Sequence, residues 1–271
     1  MTGRGAFLAG LFVLAVPVFS WVQWSPDGFV HARLLAAGVA ETVRFESVRT
    51  TLHPGLRLEG VSASMPGGLN IRLDNVWLRP AWLQLLQGKL AAHVCGRWQG
   101  QDMSLTLSSS GDGVALRDIE VTLDSALLEV LWNRRSTGLN LSPRGVLMLR
   151  GGADISMSAM PTWADIRMDW RDAKLGMGET EQELGDYTLT LNSADGPWQW
   201  SLEGGTQLAV SGGGTLQPVG TDLRRWGLQG SLTVTGKDRP GEMLALISGG
   251  QRRATATLSG RLVSPRIQWR K

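Results

Sequence analysis

The chain has 271 residues, with 27 Lys and Arg against 24 Asp and Glu and a single cysteine, Cys95. A net charge of +3 disfavours electrostatic nucleic-acid binding as the main function, although a pI of 9.5 leaves it open. One thiol excludes an intramolecular disulfide, so stability must come from core and sheet. Glycine is abundant at 35 residues and tryptophan at 12, against one tyrosine, and only 19% of residues are charged. Short apolar runs set among glycines predict strands joined by tight turns.

The first element is Ala6 to Trp24, AFLAGLFVLAVPVFSWVQW, with no charged residue across 19 positions. As a helix it would be roughly 28 Å long, about one hydrocarbon core. Pro17 is tolerated in a membrane helix, and Trp21 and Trp24 suit an interfacial aromatic belt. A cleaved signal peptide would end in small residues, whereas this segment leaves through the bulky FSWVQW. The expectation is an uncleaved anchor at residues 6–24 with a cytoplasmic tail at 1–5. By the positive-inside rule Arg4 keeps the tail in the cytoplasm, and the body, residues 25–271, lies outside it. No second apolar run approaches membrane length.

Gly28 to Thr42 has apolar residues near helical spacing and predicts a short helix close to the anchor. From Val43 the period becomes two. Turns are expected at His53–Gly55 and Pro66–Gly68, with Leu56–Val61 a strand between them and Leu69, Ile71 and Leu73 sharing one strand face.

Leu78 to Val94, LRPAWLQLLQGKLAAHV, reads as strand, short helix, strand. Pro80 suits a first helical turn, and Trp82, Leu85 and Leu86 form one apolar stripe. Gly88 can end the helix, and Leu90, Ala92 and Val94 restart a strand. The device recurs at Ser125–Trp132 and Pro240–Ser248. Helices this short need a surface to lie on, so each is expected to cap an open end of a rolled sheet.

Further strands are expected at Met103–Leu107, Val114–Leu123, Gly145–Arg150, Ile155–Ala159, Ala164–Trp170, Tyr187–Leu191, Trp198–Leu202, Gln207–Ser211, Gly227–Thr235, Ala254–Leu262 and Arg266–Arg270. Gly178–Asp186, GETEQELGD, reads as an acidic surface loop. No boundary between two domains is evident. The fold class is mainly β: a twisted antiparallel sheet curled into a half-pipe or partly open barrel, with short capping helices and one N-terminal transmembrane helix.

Candidate chemistry is sparse. His31, His53 and His93 have no metal-ligand spacing to one another. His93, Cys95 and Arg97 share a strand face, most simply an ordinary one. Ser211–Thr215, SGGGT, lacks the lysine and following helix of a phosphate loop and reads as a bulge or turn. No pair among Asp165, Asp169, Glu179 and Glu183 is singled out for acid–base work. The arginine pairs at 134–135, 224–225 and 252–253 read as solvated loop ends. Most tryptophans fall in apolar phase and read as core, an exposed subset being free to bind protein. No catalytic, cofactor-binding or metal-binding residue is assigned, and a periplasmic hydrolase would need a nucleophile or metal set that is not seen.

TTLHPGLRLEGVSAS (Thr50–Ser64) followed by LNIRLDNVWLRPAWLQLLQGKLAAHV (Leu69–Val94) resembles the N-terminal module of AsmA-like proteins: one anchor, a PGL.L..V strand and an L.P..L.LL.G.L strand–helix–strand. Within that group the short body, closing on LSGRLVSPRIQW (Leu258–Trp269), is similar to the type II secretion system protein N family. The likeness covers Val43–Val94 and Ala254–Trp269, and the middle matches only in style. The family has no agreed catalytic residues to carry over. The resemblance implies a non-enzymatic, single-pass component of the bacterial inner membrane. Its β body would be periplasmic, and its partners would be other inner-membrane subunits of the secretion machinery. The alternative is an AsmA-like lipid-handling protein. The chain is far too short for a groove that crosses a periplasm. Its alternation is diluted by glycine and serine at 104–113 and 204–214, so a mostly filled interior without lipid is expected.

Overall fold

The computed structural model describes residues 26–36, 43–51, 55–65, 69–98, 100–110, 113–124, 141–156, 161–177, 180–193, 197–219, 225–248, 250–262 and 264–270. The predicted anchor, the Pro66–Gly68 turn, the Ser125–Trp132 helix and Arg134–Arg135 lie outside them. No helix among the described residues is long and apolar enough to cross a membrane. The chain is mainly β, and it divides into two compact units, Met1–Ser104 and Leu105–Lys271.

In the first unit, helix α1 (Asp27–Ala36) precedes two short strands, β1 (Val43–Arg44) and β2 (Ser47–Thr50). Both pair antiparallel with β3 (Leu56–Met65), which pairs with β4 (Leu69–Pro80). Helix α2 (Trp82–Leu86) then leads into β5 (Ala91–Trp98), the next neighbour of β4. One face is apolar: Val48 lies opposite Leu58, and Leu58 opposite Val76, all three buried. The other face carries Arg57 over the Trp77 ring at 5.7 Å, with the Arg57 guanidinium donating to Asn75 Oδ1 at 2.8 Å. Leu58 and Val61 are both buried although three residues apart. Gly60 shifts the phase between them through a φ of 61°, and the Glu46 side chain packs where its Cβ would be. A side chain here would have to displace the Glu46 carboxyl end and hold a backbone conformation that few residues adopt. Strand β6 (Gln101–Ser110) carries the chain into the second unit.

The second unit is an antiparallel meander: β7 (Gly113–Asp124), β8 (Leu141–Ser156), β9 (Pro161–Met177), β10 (Thr180–Asn192), β11 (Trp198–Gly204), β12 (Leu208–Gln217), β13 (Gly227–Gly236), helix α3 (Asp238–Ser248), β14 (Arg253–Arg261) and β15 (Ser264–Arg270). Each strand pairs with the next in sequence. No pairing joins β15 back to β7 among the described residues, so this sheet is not closed into a barrel.

Its register separates polar from apolar residues. One row runs Val121, Leu149, Met168, Leu189 and Leu202, continuing through Gly212, Leu232 and Ala256 to Trp269. Every one of these nine positions is apolar. One residue along, the row Glu120, Arg150, Arg167, Thr190 and Ser201, continuing through Gly213, Ser231 and Thr257 to Gln268, is polar apart from its glycine. This is the period-two rule extended across a whole sheet. Two clusters anchor the apolar face. In one, Trp198 meets Trp226 edge to face at 5.6 Å, beside Ala153, Ala164 and Leu216; in the other, Tyr187 lies beside Ala173 and Leu184.

Bulges bend the long strands without losing this alternation. They fall between Leu116 and Ile119, around Gly145 opposite Asp172, between Asp154 and Ile155, and at Gly185. Asp118 and Asp172 take positive φ there. Each finds a polar partner: the Asp118 carboxylate accepts from the buried Thr106 hydroxyl, and the Asp172 N–H donates to Asp186 Oδ1 at 2.8 Å.

Several expectations are corrected. Gly145–Arg150 and Ile155–Ala159 belong to one strand as far as Ser156. The supposed acidic loop is strand from Thr180 onward: Glu181 and Glu183 project beside Lys174 at 3.5 and 3.7 Å, so cross-strand pairing offsets their charge. SGGGT is neither bulge nor turn but the middle of β12, paired without a break on both sides. The two described short helices differ in role. α3 packs on β13 and β14 and buries Leu244, as a cap should. α2 buries no residue, so its expected capping role fails.

Candidate functional site

The residues with chemical potential do not converge. On β5, His93 is exposed, Cys95 half-buried and free, and Arg97 pairs with Asp102 at 3.2 Å. No three His, Cys, Asp or Glu side chains among the described residues are placed to hold a metal ion. Asp165 is exposed and stands apart from Asp169, which belongs to a local network on the polar face. The Asp169 carboxylate accepts from Arg167 Nε at 2.9 Å and from the Thr188 hydroxyl at 2.7 Å. Burial alone would raise its pKa. The Thr188 and Arg167 hydrogen bonds and the charges of Arg167 and Arg171 outweigh this and hold it below the usual value. A carboxylate held ionised and fully hydrogen-bonded is a structural group, unsuited to general acid or base work near neutrality. Arg225, Arg252 and Arg253 are exposed.

What the fold presents is surface, in three places. The first is the apolar row of the second unit. Val121, Leu149, Met168, Leu189, Leu202 and Leu232 are only half-buried, so no second layer among the described residues seals the wall they form. One of the glycines expected to dilute it, Gly214, is passed over by a ring. Trp200 stands in register with Gly214, and Gly214 with Gly230. The indole lies across both, and its N–H donates to the Gln229 carbonyl at 3.2 Å. A Cβ on Gly230 would collide with the ring.

The second surface is β15. It pairs with β14 and with no other strand among the described residues, so one row of its backbone groups faces outward. Every described side chain from Ser264 to Trp269 is exposed. Ile267 and Trp269, 54% and 42% exposed, stand at the end of apolar rows through Leu258 and Ala256.

The third is α2. Trp82, Leu83 and Leu86 are 58%, 78% and 84% exposed, and Leu90 just beyond is 74% exposed. Of the stripe read from the sequence, Trp82 and Leu86 turn outward while Leu85 is half-buried, and the exposed Leu83 lies outside it. The exposed apolar end of β15 carried no signal beyond ordinary alternation. Arg117 was also missed: it lies 4.6 Å over the Trp163 ring and pairs with Asp154 at 2.6 Å, and only the register across β7, β8 and β9 brings these together.

Comparison with protein-family models, with curated proteins and with solved structures finds no match.

Proposed function

We propose that this chain is a non-enzymatic, membrane-anchored component of the type II protein secretion machinery, whose periplasmic β body docks other inner-membrane subunits. The assignment to that machinery comes from the resemblance of Val43–Val94 and Ala254–Trp269 to the protein N family. The observation that carries a docking role is the outer edge of β15. An edge unpaired among the described residues and ending two apolar rows offers backbone hydrogen bonds to an added strand and apolar contacts at Ile267 and Trp269. Natural proteins usually cover or blunt such edges. Arg266 lies on the same strand and favours an acidic partner segment. The test is co-isolation of the full chain with inner-membrane subunits from cells that carry the machinery. Ile267→Asp with Trp269→Asp should abolish it while leaving the protein folded.

A second reading, a lipid-handling protein of the AsmA-like kind, is favoured by the half-buried apolar row across β7 to β15. An acyl chain needs a continuous apolar wall of this sort, and monomeric proteins seldom expose large ones. Lipid extraction and mass spectrometry of the purified chain separate the two: bound phospholipid at one per chain supports the second reading, and its absence supports the first.

A further inference from the structure

We infer that the end of the first unit bearing Trp82, Leu83, Leu86 and Leu90 seats in the surface of the lipid bilayer. The inference rests on reading Ala6–Trp24 as the membrane anchor, and it adds a second, peripheral membrane contact made by the body itself.

Three observations favour a bilayer as the occupant. The first is composition. Four large apolar side chains project from α2 and the turn after it, each more than half exposed. Tryptophan and leucine on a short helix are the side chains that enter the headgroup region.

The second is charge. From Asn75 to Gln101 the sequence has no Asp or Glu, while Arg79, Lys89 and Arg97 are present. Arg79 and Lys89 flank the apolar cluster and are exposed. Basic residues around an apolar tip suit anionic lipid headgroups.

The third is where the chain enters the unit. Val48 lies level with Leu58 and Val76, and Thr50 level with Leu56 and Leu78. β2 therefore points toward the end of the sheet where β4 gives way to α2. Helix α1 runs the other way. Its first residue, Asp27, accepts from the Val48 N–H at 2.7 Å, and His31, one turn on, contacts the Phe45 ring at 6.5 Å. The chain thus enters α1 from the side of α2. Pro26, fully buried, fixes that entry. Asp27 follows Trp24 by three residues, which span at most about 10 Å. An anchor ending at Trp24 holds this end of the unit close to the membrane.

The test uses the full chain with Cys95→Ser, carrying an environment-sensitive fluorophore on Leu86→Cys or, at the opposite end of the same unit, on Asp102→Cys. Each protein is reconstituted into vesicles of phosphatidylethanolamine and phosphatidylglycerol, with or without nitroxide-labelled lipid. We expect the label at 86 to be blue-shifted and quenched several-fold more than the label at 102. Equal, weak quenching at both sites in chains that float with the vesicles after alkaline carbonate overturns the inference and leaves the anchor standing. A label at 86 that is blue-shifted yet unquenched by lipid also overturns it, in favour of a second copy covering this face. Chains that do not float after carbonate overturn the anchor reading and this inference with it.

Discussion

The Trp200 indole donates a hydrogen bond to the Gln229 carbonyl two strands away, passing over Gly214 on the strand between. Gly230 on β13 is thereby explained as room for a ring. Gly230→Val places a branched side chain where that ring lies. It should destabilise the protein by about 1–3 kcal/mol, the usual cost of overpacking. Urea unfolding of the variant checks this, and an unchanged midpoint would mean that the indole moves aside at no cost.

α2 should contribute little to folding. Leu86→Asp is expected to change stability by less than about 0.5 kcal/mol, as surface substitutions do. Val76→Asp, buried in the same unit, should cost several kcal/mol or prevent folding. Paired melting curves of the two variants in one detergent distinguish them.

Tyr187 is the only tyrosine in the chain, so alkaline titration of phenolate absorbance reads one residue. Its hydroxyl donates to the Leu208 carbonyl at 2.7 Å, and burial pushes its pKa up to about 12. The folded state therefore holds the proton to higher pH than the unfolded state, whose tyrosine titrates near 10. Stability should fall as pH rises from about 10 toward 12. Titration of the native chain should show a midpoint near about 12, moving to near 10 in denaturant.

Asp169 works in the opposite sense. Its depressed pKa means that the stability it contributes is present above the unfolded value near 3.9 and is lost as pH falls through the folded value. Asp169→Asn should flatten the acid limb of the stability profile below about pH 4. An unchanged limb would show that other carboxylates set acid unfolding.

The strand pattern and the strand–helix–strand at Leu78–Val94 were legible because alternation and the Pro80 and Gly88 signals are local. The register was not. Glu181 and Glu183 looked like a loop because their partner Lys174 lies on another strand. The glycines at 212–214 looked like a break because the strands that pair with them on both sides, β11 and β13, are set by register and not by local sequence. The stripe of α2 was visible, but a stripe does not state whether it faces protein or solvent. That choice depends on tertiary neighbours, and among the described residues none buries a side chain of α2. The exposed β15 edge depends in the same way on strand order.

The central claim, that this body docks protein subunits through β15, is tested most directly by a photo-crosslinking residue placed at Ile267 of the full chain in cells that carry the secretion machinery. The account predicts one main adduct, with an inner-membrane subunit of that machinery, lost when Trp269 is replaced by Asp. No protein adduct, together with one phospholipid per purified chain, would contradict it and establish the lipid-handling reading instead.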